Sequence, residues 1–210
     1  MMGPPRRGQP VVAQAMTMIA SGDPETVVSR LQSLAEAAPL YDASAVIMPY
    51  ASVMANAQRT DHSGQGEPSA RSGLLRHLTP AFAAAADRLL RSGAVYFFQI
   101  RSVGGAVADV DPDATAYAYR SANFHVTALG TGPERMNALW DALRPHFEGL
   151  YLSFETDLRP ERLNDAFPPR TLERLRALKA QYDPDNVFRD NFNIQPAPAG
   201  QWQPEGLSAR

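Results

Sequence analysis

Residues 94–100 have the sequence AVYFFQI, and this stretch decides the fold class. Aromatic and β-branched side chains are enriched in β-strands, so the stretch predicts a strand. Its apolar residues fall on both faces, because Tyr96 and Phe98 alternate with Val95 and Phe97. A strand that is apolar on both faces predicts that both faces of its sheet are covered.

The residues that follow this strand indicate an antiparallel arrangement. Gly104 and Gly105 predict a turn or a bulge, and residues 106–110 are the predicted hairpin partner. Strands joined in this way outnumber the helical crossovers that a parallel sheet requires. The sequence therefore predicts an α+β fold, in which helices cover one face of an antiparallel sheet and an extended segment follows at the C-terminus.

Caps and hydrophobic periodicity place the remaining elements. The pairs Asp23-Pro24 and Thr79-Pro80 are typical of helix starts. Predicted helices cover 24–37, 80–92, 133–147 and 170–181, and further predicted strands cover 11–19, 43–48, 123–128 and 150–154. Residues 57–73 are polar and rich in glycine and serine, which predicts a loop. We expect disordered tails at 1–9 and 197–210, one α+β domain over 10–180, and a separate C-terminal segment over 181–196.

Composition excludes several classes of function. The 210 residues include no cysteine, which excludes disulfides, thiol catalysis and zinc–thiolate sites. The formal net charge of −2 does not favour a nucleic-acid partner, because phosphate neutralisation requires an excess of basic residues. No apolar run approaches the ~18 residues of a membrane span. We therefore expect a soluble, cytoplasmic, bacterial protein with no nucleic-acid or membrane partner.

The chain contains no motif of a self-contained active site. It has no GxGxxG or GxxxxGK[ST] loop for phosphates and no GxSxG nucleophile turn. The four histidines do not have metal-ligand spacing. Asp109, Asp111 and Asp113 alternate, but they lack the glycine and the closing glutamate of a calcium loop, so they predict a turn.

The C-terminal sequence carries a resemblance to a known family. Residues 182–189 are YDPDNVFR and residues 191–194 are NFNI. They resemble the YDPxNxFRxNQNI signature of berberine-bridge-enzyme-like flavoprotein oxidases. Upstream, GGAV at 104–107, DATA at 113–116, YR at 119–120 and PYA at 49–51 resemble further motifs of the family in the same order.

This resemblance implies an FAD cofactor and a partner domain. In the family, an N-terminal FAD-binding domain of the vanillyl-alcohol-oxidase type carries the flavin, and a second α+β domain covers its ring and shapes the substrate pocket. The chain resembles only that substrate domain and the berberine-like C-terminal segment. The implied function is oxidation of a small molecule with a hydroxyl or amine by hydride transfer to flavin. We expect FAD binding only with a missing or separately encoded flavin domain.

Two other functions stay open at this stage. One is a non-catalytic module that binds a small molecule. The other is a vestigial module of the same fold, which self-associates as a homo-oligomer.

The implied catalytic candidates are Tyr151 and His125. Residues 151–154, YLSF, resemble the family's Y-x-N-[YF] segment, in which a tyrosine takes or helps to take the substrate's hydroxyl proton. Phe154 lacks that hydroxyl and Ser153 replaces the asparagine, so Tyr151 is the remaining phenol. His125 shares a strand face with Thr127, and the family's corresponding strand faces the substrate. The alternatives are a core aromatic for Tyr151 and a partly exposed strand histidine for His125.

The resemblance implies further binding residues. Tyr119, Arg120 and Thr127 are substrate-binding candidates, and Arg120 is also a candidate for the domain interface. Asn191 and Asn193 are cofactor-binding candidates, whereas Phe192 stands where the family has glutamine. The alternative for this C-terminal segment is structural: Asp183 and Asn186 fix a turn, while Phe188 and Ile194 anchor the segment in the core.

Overall fold

The computed structural model describes residues 12–55, 69–130 and 132–198. They belong to two compact units, one within residues 13–66 and the other with residue 12 and the residues from 67 onward. The predicted tail at 1–9 lies outside the described residues, as do residues 199–210 of the predicted tail at 197–210 and residues 57–68 of the predicted loop at 57–73.

Among its described residues, the first unit contains two helices, α1 (Pro24–Ala35) and α2 (Tyr50–Ala55). The predicted cap of α1 is confirmed, because a carboxylate oxygen of Asp23 accepts a hydrogen bond from the Thr26 N–H at 3.0 Å. Residues 14–19 and 43–48 are irregular, so the strands predicted there are wrong. An apolar run forms a strand only where another strand pairs with its backbone, and no described strand pairs with these residues.

The second unit contains a three-stranded antiparallel sheet and four helices among its described residues. The strands are β1 (Ser69–Leu75), β2 (Val95–Ser102) and β3 (Phe124–Gly130), and the helices are α3 (Pro80–Arg91), α4 (Pro133–Trp140), α5 (Glu161–Ala166) and α6 (Pro169–Tyr182). The strand order is β1-β3-β2, and both pairs are antiparallel. The predicted α+β class is therefore confirmed.

Three predictions around the sheet are wrong. The partner of β2 is β3, whereas residues 105–107 form a 3-10 turn in place of a hairpin strand. Residues 69–73, predicted as loop, belong to β1. Residues 152–154 form a 3-10 turn instead of a strand, and Gly149, before this turn, makes an isolated bridge to Leu74 of β1.

One sheet face packs against α3 and α4 to form the core. Its fully buried side chains include Phe82 and Leu89 of α3, Phe98 of β2, Val126 of β3, and Met136 and Trp140 of α4. Gly73 of β1 lets the Phe147 ring approach the sheet, because a Cβ at this position would lie 2.5 Å from that ring. Helix α4 ends before the predicted residue 147, and Pro145, which has no N–H to donate, lies in the 3-10 turn that follows it.

The opposite sheet face contains a group of polar residues next to apolar ones, since strand alternation also places Leu74, Phe97 and Leu129 on it. The polar group consists of Ser72 of β1, Gln99 and Arg101 of β2, and His125 and Thr127 of β3, in register across the three strands. We call these five residues the polar sheet face.

The C-terminal segment follows α6 without regular structure over residues 183–198. The Asp183 carboxylate accepts hydrogen bonds from the N–H groups of Val187 at 2.8 Å and Phe188 at 3.1 Å. The predicted turn is therefore present. The prediction that Phe188 anchors the segment in the core is wrong, because this side chain is 83% exposed. None of the described helices has the length and apolar character needed to cross a membrane.

Candidate functional site

His125 is the centre of the polar sheet face. Its side chain is buried, with 4% exposure, because β3 is the middle strand of the sheet. Its Nε2 atom lies 3.0 Å from the Ser72 hydroxyl and 3.4 Å from the Thr127 hydroxyl. Neighbouring strands thus place one imidazole nitrogen between two hydroxyl groups.

Ser72 joins His125 to the segment that carries Tyr151. The Tyr151 N–H donates to the Ser72 Oγ at 3.0 Å. A hydroxyl group both accepts and donates, so Ser72 can accept from Tyr151 and donate its own proton to His125 Nε2. In that arrangement the imidazole is neutral and carries its proton on Nδ1.

The electrostatic environment also favours a neutral imidazole. Burial, with a smaller contribution from the Arg101 cation, lowers the pKa of His125 to about 4. The predicted alternative of a partly exposed histidine is therefore wrong, and the ring is uncharged at neutral pH.

Aromatic side chains surround the imidazole. The centroid of the Tyr151 ring lies 5.8 Å from that of His125 in an edge-to-face arrangement, and the Phe154 ring lies 5.4 Å away. Tyr151 is 41% exposed, so it is not the core aromatic that we considered as an alternative. Tyr117 makes an edge contact with Tyr151 at 6.1 Å.

A buried ion pair fixes the Tyr151–Phe154 turn against the sheet. Arg71 of β1 and Glu155 lie 3.3 Å apart, and both side chains are almost fully buried. The Glu155 carboxylate also accepts from the N–H of Ser72 at 3.4 Å and of Asp157 at 2.8 Å. Burial raises the pKa of Glu155 despite these bonds and the Arg71 charge. This pair is not predicted by the sequence, because Arg71 lies within the stretch 57–73 that is typical of a loop.

The structure brings some predicted substrate residues together and separates others. His125, Thr127 and Tyr151 are grouped at the polar sheet face. Tyr119 packs instead against Gly149, where a Cβ would lie 2.2 Å from its ring, and burial raises the pKa of Tyr119. Arg120 donates to the Thr115 hydroxyl at 2.7 Å, so its described contacts hold a loop.

Arg120 is connected to Tyr151 through the Tyr117 ring. Its guanidinium lies 4.9 Å from the Tyr117 ring centroid, and Tyr117 contacts Tyr151. It also donates to the Val107 carbonyl at 3.3 Å. Its described contacts include no carboxylate.

The two cofactor candidates lie in the C-terminal segment. Asn191 is exposed and has a left-handed backbone, with φ of 55°. The Asn193 side-chain oxygen is buried without a described hydrogen-bond partner. The described hydrogen bonds of these residues do not reach the polar sheet face. Within the described ranges, no cluster of three or more His, Asp or Glu side chains suits a metal ion.

Comparisons with known proteins support the predicted resemblance. Residues 164–195 match the family model described as "Berberine and berberine like". The chain is 34% identical over 112 residues to the uncharacterized FAD-linked oxidoreductase YgaK of Bacillus subtilis (strain 168), a match that covers 46% of this chain and 23% of YgaK. The resemblance to berberine-bridge-enzyme-like FAD-linked oxidases is thus confirmed.

Solved structures show the same fold in larger proteins. Chitooligosaccharide oxidase matches with a TM-score of 0.68 and 20% identity over 84% of this chain and 44% of its own. Aclacinomycin oxidoreductase matches with a TM-score of 0.63 and 21% identity over 85% of this chain and 43% of its own. The chain therefore spans less than half of these structures and about a quarter of YgaK.

Proposed function

We propose that this chain, a relative of the berberine-bridge-enzyme-like FAD-linked oxidases, is the substrate-binding and C-terminal part of a cytoplasmic FAD-dependent oxidoreductase. Its substrate is a small molecule with a hydroxyl or amine that loses a hydride. One observation carries the proposal: a buried neutral histidine and an exposed tyrosine meet on the polar face of a sheet whose fold is shared with such oxidases.

The described residues fit only part of an FAD molecule. The aromatic rings of Tyr151 and Phe154, with the hydrogen-bonding groups beside them, suit the flat and polar isoalloxazine ring. The chain has no glycine-rich loop of the kind that holds the nucleotide's phosphates. We therefore assign the phosphates to a separate flavin-binding domain, without which this chain is inactive. FAD, when bound, accepts the hydride from the substrate carbon.

His125 and Tyr151 supply the proton chemistry in this proposal. Loss of a hydride from the carbon is easier when the attached hydroxyl loses its proton to a base. His125 is uncharged, so its Nε2 lone pair accepts that proton once the Ser72 hydroxyl rotates away. Tyr151 contacts the imidazole through its ring and is 41% exposed, and its hydroxyl orients the substrate oxygen. Thr127 keeps a second hydroxyl within reach of Nε2.

Exposed apolar side chains in the C-terminal segment suit a contact with the flavin domain. Val187 and Phe188 are 70% and 83% exposed, and Tyr182, the last residue of α6 before this segment, is 76% exposed. Side chains of this kind in one segment are typical of a surface that another protein body covers. We propose that this segment, with Asn191 and Asn193, docks on the flavin domain.

A reconstituted complex tests the proposal. The chain is co-expressed with a flavin domain of the vanillyl-alcohol-oxidase type, and the purified complex is mixed anaerobically with sugars, sugar acids, alcohols and amines. We expect a yellow complex whose flavin absorbance is bleached by one of these classes.

Two variants complete the test. His125→Gln and Tyr151→Phe should keep the bound flavin and slow its bleaching, because they remove the proposed base and the hydroxyl that orients the substrate. A complex that holds flavin but is bleached by none of the compounds contradicts the proposal and favours a non-catalytic binding module.

A further inference from the structure

Arg101 is the one charged side chain of the polar sheet face at neutral pH. It lies opposite His125 in the antiparallel register of β2 and β3, so the two side chains project from the same face. Its guanidinium carbon lies 4.7 Å from the centroid of the Phe154 ring. Arg101 is therefore part of the same cluster as His125, Tyr151 and Phe154.

Two contacts fix the orientation of the Arg101 guanidinium, and its two terminal nitrogens have no described hydrogen bond. Its Nε donates to the Gln99 side-chain oxygen at 2.6 Å. Stacking on Phe154 and this bond fix the plane of the group. Neither terminal nitrogen has a hydrogen bond among the described residues, so the fork that binds oxyanions is free.

The charge of Arg101 has no carboxylate partner in the described parts of the chain. Two arginines of the neighbouring strand region differ in this respect. Arg71 pairs with Glu155 at 3.3 Å, and Arg76 pairs with Glu148 at 3.0 Å. The polar sheet face itself contains serine, threonine, glutamine, histidine and arginine but no acidic residue. The Arg101 cation lowers the pKa of His125, and burial of the imidazole lowers this pKa more strongly.

We propose that Arg101 binds a carboxylate of the substrate, which makes the substrate class hydroxy- or amino-carboxylates such as sugar acids. A guanidinium binds a carboxylate through two parallel N–H···O bonds, which also fixes the orientation of the bound molecule. His125 and Tyr151 then face the hydroxyl or amine beside that carboxylate. This inference rests on the proposed function, since it assigns the polar sheet face as the substrate site.

The test uses this chain alone and His125 as the reporter. Histidine is labelled with ¹³C, and the His125 signal is identified by its loss in His125→Gln. Sodium D-glucuronate, D-glucose and inorganic phosphate are titrated at matched ionic strength. Glucuronate should perturb the His125 signal and raise the pKa of His125, because a bound carboxylate offsets the Arg101 cation. Glucose should do neither.

Two arginine variants make the result specific. Arg101→Gln should weaken glucuronate binding at least ten-fold, since charge-assisted hydrogen bonds are lost. Arg88→Gln is the matched control, because Arg88 is an exposed arginine of α3 with no described carboxylate partner. This variant should bind glucuronate as tightly as the original chain.

Several outcomes overturn the inference. They are no perturbation of His125 by saturating glucuronate, equal binding of glucose, and unchanged binding by Arg101→Gln. Phosphate binding as tight as that of glucuronate also overturns it, because Arg101 then serves anions in general, such as the phosphates of a cofactor. A reconstituted complex that oxidises only neutral compounds refutes this inference and leaves the proposed function standing.

Discussion

A buried imidazole next to a cation makes stability depend on pH. Water stabilises the protonated form of a histidine, and His125 has lost most of its contact with water. The Arg101 charge adds to the cost of protonation. Folding therefore selects the neutral ring, and acid must either protonate it in place or open the sheet around it.

We predict that this effect appears as acid sensitivity. The folded pKa of about 4 lies below the ordinary value near ~6.5, so the unfolded chain binds more protons between these values. Stability should fall as the pH drops through this window, by roughly 2 kcal/mol at about pH 4.5, as measured by urea unfolding. Glu155, whose pKa is raised, acts in the opposite direction.

The His125→Gln variant isolates the histidine contribution, because it keeps Glu155. Its unfolding free energy should decline less between about pH 6.5 and 4.5 than that of the original chain. An identical decline in both proteins would contradict a depressed pKa at His125.

Ser72 offers a second prediction at the scale of one residue. Ser72→Ala leaves both the Tyr151 N–H and His125 Nε2 without this partner. We expect a loss of about 1–3 kcal/mol in unfolding free energy and a change of the His125 tautomer in ¹⁵N spectra. Ser153→Ala, at an exposed position of the same turn, should change stability by less than about 0.5 kcal/mol and leave the tautomer unaltered. Equal effects of the two changes would remove the role given to Ser72.

At the scale of elements, local signals gave correct predictions and distant pairings did not. The starts of α1 and α3 depend on a capping side chain and a proline within a few residues, so the sequence predicts them. Strand β1 has the sequence SARSGLL, which looks like a loop because it contains an arginine and two serines. Its buried polar groups are satisfied by partners more than 50 residues away, which include Glu155 for Arg71 and His125 for Ser72. His125, Thr127 and Tyr151 were predictable through resemblance, whereas Arg71, Ser72, Arg101 and Glu155 required the register of the sheet.

The Arg71–Glu155 pair connects β1 to the turn that carries Tyr151 and Phe154. Glu155→Ala would leave the buried Arg71 charge without its carboxylate partner, so we expect a loss of roughly 3–5 kcal/mol by urea unfolding. Glu148→Ala breaks the exposed pair with Arg76 and should cost less than about 1 kcal/mol. Similar losses in both variants would mean that burial does not distinguish the pairs.

At the scale of the whole molecule, the described surface leaves many apolar side chains exposed. No side chain described between residues 12 and 53 is buried, and Tyr41, Val46 and Ile47 are 101%, 71% and 54% exposed. The unit at 13–66 therefore lacks a core of its own among its described residues. This exposure agrees with the proposal that the chain works against a flavin domain.

Substitution of one phenylalanine in the core and one in the C-terminal segment tests how far each region contributes to stability. Phe82 is fully buried, so Phe82→Ala should destabilise the chain by about 3–5 kcal/mol. Phe188 is 83% exposed, so Phe188→Ala should change the unfolding free energy of the isolated chain by less than about 0.5 kcal/mol. In the flavin complex, Phe188→Ala should weaken assembly. A strong loss of stability in the isolated chain would contradict the exposed placement of this ring.

The pH dependence of the reconstituted complex identifies its base. If His125 takes the substrate proton, the rate of flavin reduction should rise with pH near its depressed pKa of about 4 and reach a plateau well below neutrality. An imidazole with an ordinary pKa would place this rise near ~6.5. His125→Gln should lower the plateau rate by about 10²–10⁴-fold, because the Gln side chain cannot accept the proton. Tyr151→Phe should keep the midpoint of the rise and lower the rate less, since Tyr151 orients the substrate oxygen. A full rate in His125→Gln, measured by stopped-flow bleaching, would remove His125 from the proton transfer.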